Sequence, residues 1–244
     1  MTFKNNLKFF LRNFGIDINR YNINESFDYR LQNYLNSMKI DLVIDVGANN
    51  GQYGESLRKL GYKENILSFE PLEKEYKTLK TKTNKDNKWK CLNLGLGDRD
   101  EIKSINIAEN SVSSSIMEIL DEHINANESS KYISNQSIQL KRLDQVFNFQ
   151  KENYEKVFLK IDTQGYEEKV IDGSSNLLNN FIGIQIELSV ERMYENQLLY
   201  IDIIKKLKSY NYDLWDLKRG FHNPKTGQIY QFDGIFFNRK NAKK

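Results

Sequence analysis

Two patterns alternate along most of this chain. Short runs of nearly unbroken apolar residues give way to stretches where apolar side chains return every three or four positions. The runs "IDLVIDVG", "NILSFEP", "KWKCLNLGLGD", "KVFLKID" and "FIGIQIEL" predict five strands, rich in β-branched residues and buried on both faces. Between them the pattern predicts helices over 52–60, ending at Gly61, and from Leu72, with Pro71 placed to open the second. Residues 98–156 are polar, with a strand expected at "SIQLKRL". A helix near 196–209 and strands at "YDLWDL" and "QFDGIFF" complete the series. Strands alternating with helices at this spacing argue for an α/β fold, a doubly wound and mainly parallel sheet. Ahead of it, Phe3, Leu7, Phe10, Leu11 and Phe14 share one helical face, with Lys4, Lys8 and Arg12 beside it. This gives a helical extension over 1–36 before a domain at 37–244. Its first helix packs on the domain or on a second subunit, which would make a homo-oligomer, or it meets a membrane surface peripherally.

Composition narrows the function. The 36 basic and 33 acidic residues nearly cancel, leaving +3, which gives no extended nucleic-acid surface. One cysteine, Cys91, and two histidines cannot build a Cys/His metal cluster. No apolar stretch approaches the roughly 18 residues of a membrane span, and no signal peptide is visible, so the expected compartment is the cytoplasm.

Parallel sheets bind ligands beyond the carboxyl ends of their strands. Asp45, Glu70, Asp162 and Glu187 all fall at such ends. The first strand leads into G-A-N-N-G, with Gly47, Asn49, Gly51 and then Gln52. This resembles the dinucleotide fingerprint, but Asn49 stands where the second glycine would admit a pyrophosphate. A ligand carrying an amino-acid tail suits the turn, with Asp45 available to its ammonium. Glu70, ending the second strand, can accept both hydroxyls of a ribose. Together they point to S-adenosylmethionine. A nicotinamide-dependent oxidoreductase is the alternative that the missing glycine opposes, and a non-catalytic binding module is the third.

The segments "VIDVGANNGQYG", "FEP", "RLDQVF", "VFLKIDTQGYEEKVIDG", "IQIELSV" and "FDGIFF" resemble the successive motifs of the FkbM-like methyltransferases, from about residue 40 to 237. The resemblance implies a class I S-adenosylmethionine-dependent, Rossmann-like fold, a seven-stranded sheet with its last strand antiparallel. It also implies O-methyltransfer to sugars or sugar-bearing metabolites, a nucleotide-activated sugar among them, with residues 98–136 shaping the acceptor pocket. By the same resemblance Asp45, Gly47, Asn49, Gly51 and Gln52 form the methionine-side loop and Glu70 holds the ribose. Asp98 would meet the adenine amino group, and Ser113 or Ser114 the cofactor.

A sugar hydroxyl is a poor nucleophile near neutrality, so the reaction calls for a base or a metal-bound oxygen. Lys160 and Asp162, two apart on one strand, face the same side of the sheet. Asp162, Gln164 and Glu187, with His222 reaching in from the "KRGFHNPKTGQIY" excursion, make a candidate site for Mg, Mn or Fe. Lys160 or His222 would assist deprotonation, Asp162 and Glu187 would orient the acceptor, and His123 is a weaker candidate. Tyr194 could stack on a sugar and Arg192 could meet a phosphate.

Overall fold

A computed structural model describes residues 3–16 and 25–241, with residues 3–5 and 150 in backbone only, so the side chains of Phe3 and Lys4 lie outside the described residues. The main sheet is assembled from β1 (Leu42–Val46), β2 (Asn65–Phe69), β3 (Trp89–Leu92), β7 (Val157–Ile161), β8 (Gly183–Ser189), β9 (Tyr212–Arg219) and β10 (Gln231–Asn238). A smaller sheet holds β4 (Gly95–Leu96), β5 (Glu101–Ala108) and β6 (Tyr132–Lys141). The helices are α1 (Phe3–Arg12), α2 (Phe27–Ser37), α3 (Gln52–Lys59), α4 (Glu73–Thr83), α5 (Asp121–Ala126), α6 (Leu143–Val146), α7 (Phe149–Glu152), α8 (Glu167–Gly173) and α9 (Tyr200–Ser209).

Strand order in the main sheet is β3-β2-β1-β7-β8-β10-β9. The pairs among β3, β2, β1, β7 and β8 are parallel, while β10 runs antiparallel to both neighbours. This is the class I methyltransferase sheet, its last strand in sequence being the reversed one. Every residue of β1 and β7 is buried, as runs that are apolar but for Asp45 and Lys160 lead one to expect. One face packs Leu42, Ile44, Leu159 and Ile184 against Ile171 of α8 and Ile203 and Leu207 of α9. The other packs Val43, Ile66 and Phe158 against Leu57 of α3, Leu79 of α4, and Leu31 and Leu35 of α2. Thus α2 is part of the core, whereas no described side chain of α1 belongs to any of the three core clusters.

"KWKCLNLGLGD" divides into two strands. The chain leaves the main sheet after Leu92, and Gly95–Leu96 pair instead with Leu140–Lys141 of β6. The small sheet contributes Ile105, Ile138 and Leu140 to a cluster with Leu72 and Tyr166. These residues stand over the carboxyl ends of β1 and β2 and wall the cavity described next.

Candidate active site

A cavity of about 400 Å³ opens at the carboxyl ends of the parallel strands, within the range of small-ligand sites. The loop after β1 forms its floor. Gly47 sits at φ +78°, where a Cβ would collide with the Asp162 carbonyl oxygen, and Gly51 at φ +94° starts α3 against Leu79 and Trp89. Only glycine gives both the left-handed backbone and the close approach of the β1 and β7 loops. Asn49 is also left-handed, φ +48°. Its amide donates to Ser111 Oγ at 3.1 Å, and its Oδ1 accepts from Gln52 Nε2 at 3.2 Å.

Glu70 is 4% exposed and lines the cavity. Its Oε2 accepts from the Asn49 backbone N–H at 2.7 Å and its Oε1 from that of Leu72 at 2.8 Å. Each oxygen keeps further acceptor capacity. Burial pushes this carboxyl up to about 7, against the pull of those two N–H groups. Leu72, Leu94, Leu96, Ile138 and Leu140 give the adjoining wall an apolar surface. Ser114 also lines it, with its Oγ accepting from the Ala108 N–H at 3.1 Å.

The opposite end is polar. The registers Asp45↔Lys160 and Lys160↔Gln185 put three polar side chains in one row on the face covered by α2 and α3. Lys160 Nζ lies 3.2 Å from Asp45 Oδ1 and 3.5 Å from Asp162 Oδ2, and donates to the Gly47 carbonyl at 3.3 Å. The Asp45 Oδ1 contact is an ion pair without hydrogen-bond alignment, while Oδ2 accepts from Ser68 Oγ at 3.2 Å. Burial alone would lower the Lys160 pKa, but Asp45 and Asp162 outweigh it and hold it above the ordinary lysine value. Lys160 is therefore a fixed cation and does not serve as the base suggested by its position. Asp45, wholly buried in these contacts, is likewise not open to a ligand's ammonium. Removing one member of a buried ion pair typically costs about 3–5 kcal/mol. Lys160→Met is expected to destabilise the protein by about that amount in urea unfolding, with part recovered when Asp45→Asn is added.

Asp162 lines the cavity with its side chain 34% exposed. Gln164, at φ +54°, donates from Nε2 to Asp162 Oδ1 at 2.9 Å and to Glu187 Oε2 at 3.1 Å. Gln231 Nε2 reaches the same Glu187 oxygen at 2.7 Å. Burial, then Asp162, Glu167 and Asp233, raise the Glu187 pKa well above the usual carboxylate value. Asp233, opposite Glu187 in register, is pushed up to about 6 by burial and by Asp162, with Lys160 and Lys218 opposing. Glu167 ties the preceding turn together, accepting from the N–H groups of Thr163 and Gly165.

This donor set does not fit a divalent cation. An amide N–H bridges Asp162 and Glu187 where a metal would need oxygen, and an ammonium already stands beside Asp162. The Gln164 oxygen is engaged by the Tyr194 hydroxyl at 2.9 Å. Among the described residues no group of three His, Cys, Asp or Glu is placed to hold a metal. His222 is exposed on the β9–β10 connection, its Nδ1 3.2 Å from the Gly220 carbonyl, and does not line the cavity. The end of β9 does reach the cavity, through Lys218.

Other expected residues lie elsewhere. Asp98 falls past β4, outside the main cavity, paired with Arg99 at 3.3 Å and Lys169 at 3.4 Å. Tyr194 is fully buried and has no face for a sugar, and Arg192 is exposed with its Nε on the Gln197 carbonyl. Ser113 is buried against Ser130 Oγ. His123 is buried against Tyr194 and Phe221, its pKa pushed down to about 4 by desolvation. Conversely, Tyr53, Gln185, Asp233 and Lys218 line the cavity without having been singled out in the sequence. The Tyr53 hydroxyl donates to Gln185 Oε1 at 2.9 Å, and its ring lies 5.3 Å from Lys160 Nζ. The signal for Gln185 and Asp233 was a polar residue inside an otherwise apolar strand.

Among solved structures, the chain is similar to TehB from Haemophilus influenzae (TM-score 0.46, 10% identity, 86% of this chain and 62% of that one). It is similar as well to a putative S-adenosylmethionine dependent methyltransferase from Listeria monocytogenes (0.47, 8%, 87% and 98%). A third is an rRNA methylase from Streptococcus thermophilus (0.46, 9%, 86% and 95%). The chain thus spans under two thirds of the TehB length. No curated protein matches it by sequence. The family described as methyltransferase FkbM domain matches residues 45–214, from the buried aspartate of β1 into β9. That span covers most of the chain, and the protein belongs to the FkbM-domain family of S-adenosylmethionine-dependent methyltransferases.

Proposed function

We propose that this protein is an O-methyltransferase acting on a sugar hydroxyl. The observation that carries the reading is the division of one cavity into two chemically different ends. Glu70 and the apolar wall of Leu72, Leu94, Leu96, Ile138 and Leu140 suit a ribose and a planar base. Asp162, Gln185, Asp233, Tyr53 and Lys218 at the other end alternate donors and acceptors, as a polyhydroxylated partner requires. Phe27 of α2 also lines this end and offers an aromatic face.

Bound here, S-adenosylmethionine supplies an electrophilic methyl group on a sulfonium. The chain's part is to hold the acceptor oxygen in line with that methyl and to take up the hydroxyl proton. Asp162 is a carboxylate open to the cavity, and it is oriented from two sides, by Gln164 Nε2 and the Lys160 ammonium. We assign it the base role. Asp45 also meets the Lys160 ammonium, and Gln164 Nε2 stands between the Asp162 and Glu187 carboxyl groups and donates to both. Gly47, Asn49, Gly51 and Gln52 carry the methionine portion. Asp28, Asp162 and Asp233 surround this end, so it addresses the sugar itself more readily than the phosphates of a nucleotide sugar.

Acceptor class is tested by offering free glycosides, sugar nucleotides and RNA with methyl-labelled S-adenosylmethionine and locating the label in the products. An O-methyl ether on a sugar ring supports the reading. Methylation confined to nitrogen or to RNA overturns it. A pH dependence follows from Glu70. The free protein holds this carboxyl protonated up to about pH 7, whereas ribose hydroxyls donate best to the ionised form. Affinity for adenosine, which carries no group titrating in this interval, is expected to rise with pH towards 7 and to level off above it. Calorimetric titration across that range checks this, and a pH-independent affinity would contradict the Glu70 contact.

A further inference from the structure

No described side chain of α1 lines the cavity at the strand ends. Along α1, Leu7, Phe10, Leu11 and Phe14 fall within one arc of the helix. Leu7, Phe10 and Phe14 are 48%, 58% and 67% exposed, and Ile16 just beyond is 50% exposed. The helix has a defined end. Gly15 takes φ +73°, with Gly15 N–H donating to the Arg12 carbonyl and Ile16 N–H to that of Leu11, the pattern of a Schellman cap. Every charged residue in 3–16 is basic, namely Lys4, Lys8 and Arg12. At helical spacing Lys8 and Arg12 follow one another along the flank of the apolar arc. Phe9 lies off the arc, its ring 5.6 Å from the Arg12 guanidinium.

We propose that α1 is an interfacial anchor that seats the enzyme on an anionic lipid surface. An amphipathic helix with an uncovered aromatic and aliphatic face and a purely basic flank matches a bilayer boundary on both counts. Charge chooses between occupants. A second copy of α1 packed antiparallel on this face would set Lys8 and Arg12 of one chain along those of the other, whereas an anionic surface attracts a segment whose charged residues are all basic. The helix lies in the surface and does not cross it, since none of the described helices is long and apolar enough to span a membrane.

The test is co-sedimentation of the full chain with vesicles of phosphatidylglycerol and phosphatidylcholine, and with vesicles of phosphatidylcholine alone, at low and high salt. The anionic vesicles are expected to bind at least about tenfold more protein, with binding falling as salt rises. Phe10→Asp/Phe14→Asp is expected to abolish binding to both vesicles. Lys8→Glu/Arg12→Glu is expected to remove the preference for anionic lipid. Retained S-adenosylmethionine affinity shows that the variants are folded. Equal binding of wild type and the Phe10→Asp/Phe14→Asp variant, or no binding to either vesicle, overturns the proposal. A dimer in sedimentation equilibrium that this variant dissolves, without vesicle binding, would instead give the face to a second copy.

Discussion

Asp162→Asn is expected to lower kcat by at least about 100-fold, the lower end of what a positioned base contributes, while S-adenosylmethionine affinity stays within about twofold. Asparagine keeps the shape of the side chain and can still meet Gln164, so the loop after β7 holds. What disappears is the proton acceptor open to the cavity. Glu187 cannot replace it, because it does not line the cavity and its Oε2 is engaged by Gln164 and Gln231, and Lys160 is held as a cation. Single-turnover rates with the cofactor in excess separate this effect from binding. A variant retaining more than about a third of the wild-type rate would remove Asp162 from the chemistry and direct attention to Asp233.

Glu70→Ala carries the other large effect, on binding. Two hydrogen bonds from ribose hydroxyls to a buried carboxylate, at about 1.5–3 kcal/mol each, correspond to a loss of at least about 100-fold in S-adenosylmethionine affinity. The same change leaves the Asn49 and Leu72 N–H groups without their acceptor, so some of the loss would come from a loosened loop. Glu70→Gln distinguishes the two. Its amide oxygen can still accept from one N–H, and its stability is expected to remain near wild type while affinity drops. Calorimetric titration alongside thermal unfolding of both variants reads this directly. Affinity unchanged in Glu70→Ala would place the ribose elsewhere.

How much of this the sequence disclosed depended on burial. β1 and β7 are buried along their whole length and read as apolar runs broken only by Asp45 and Lys160. β5 escaped because it alternates polar and apolar residues and leaves Ile102 78% exposed. α8 escaped because seven residues with adjacent Val170 and Ile171 show no helical period. The strand-end carboxylates were legible from the topology of any parallel sheet, and Glu70 and Asp162 do line the cavity. Partnership between them was not legible. That Lys160 lies between Asp45 and Asp162 depends on strand register, which one strand's sequence does not contain. Asp98 was misassigned because the chain changes sheets after Leu92, a break invisible in an apolar run. Tyr194 and His222 were judged by residue type, whereas burial of the first and exposure of the second decide what they can touch.

The central claim is that this cavity takes S-adenosylmethionine between the Gly47–Gln52 loop and Glu70. Its most direct test is titration calorimetry of the wild-type chain with S-adenosylmethionine and, in parallel, with NAD. One molecule of S-adenosylmethionine bound per chain, with no heat from NAD, is the predicted result. Saturable binding of NAD without S-adenosylmethionine, or binding of neither to the folded protein, would contradict it.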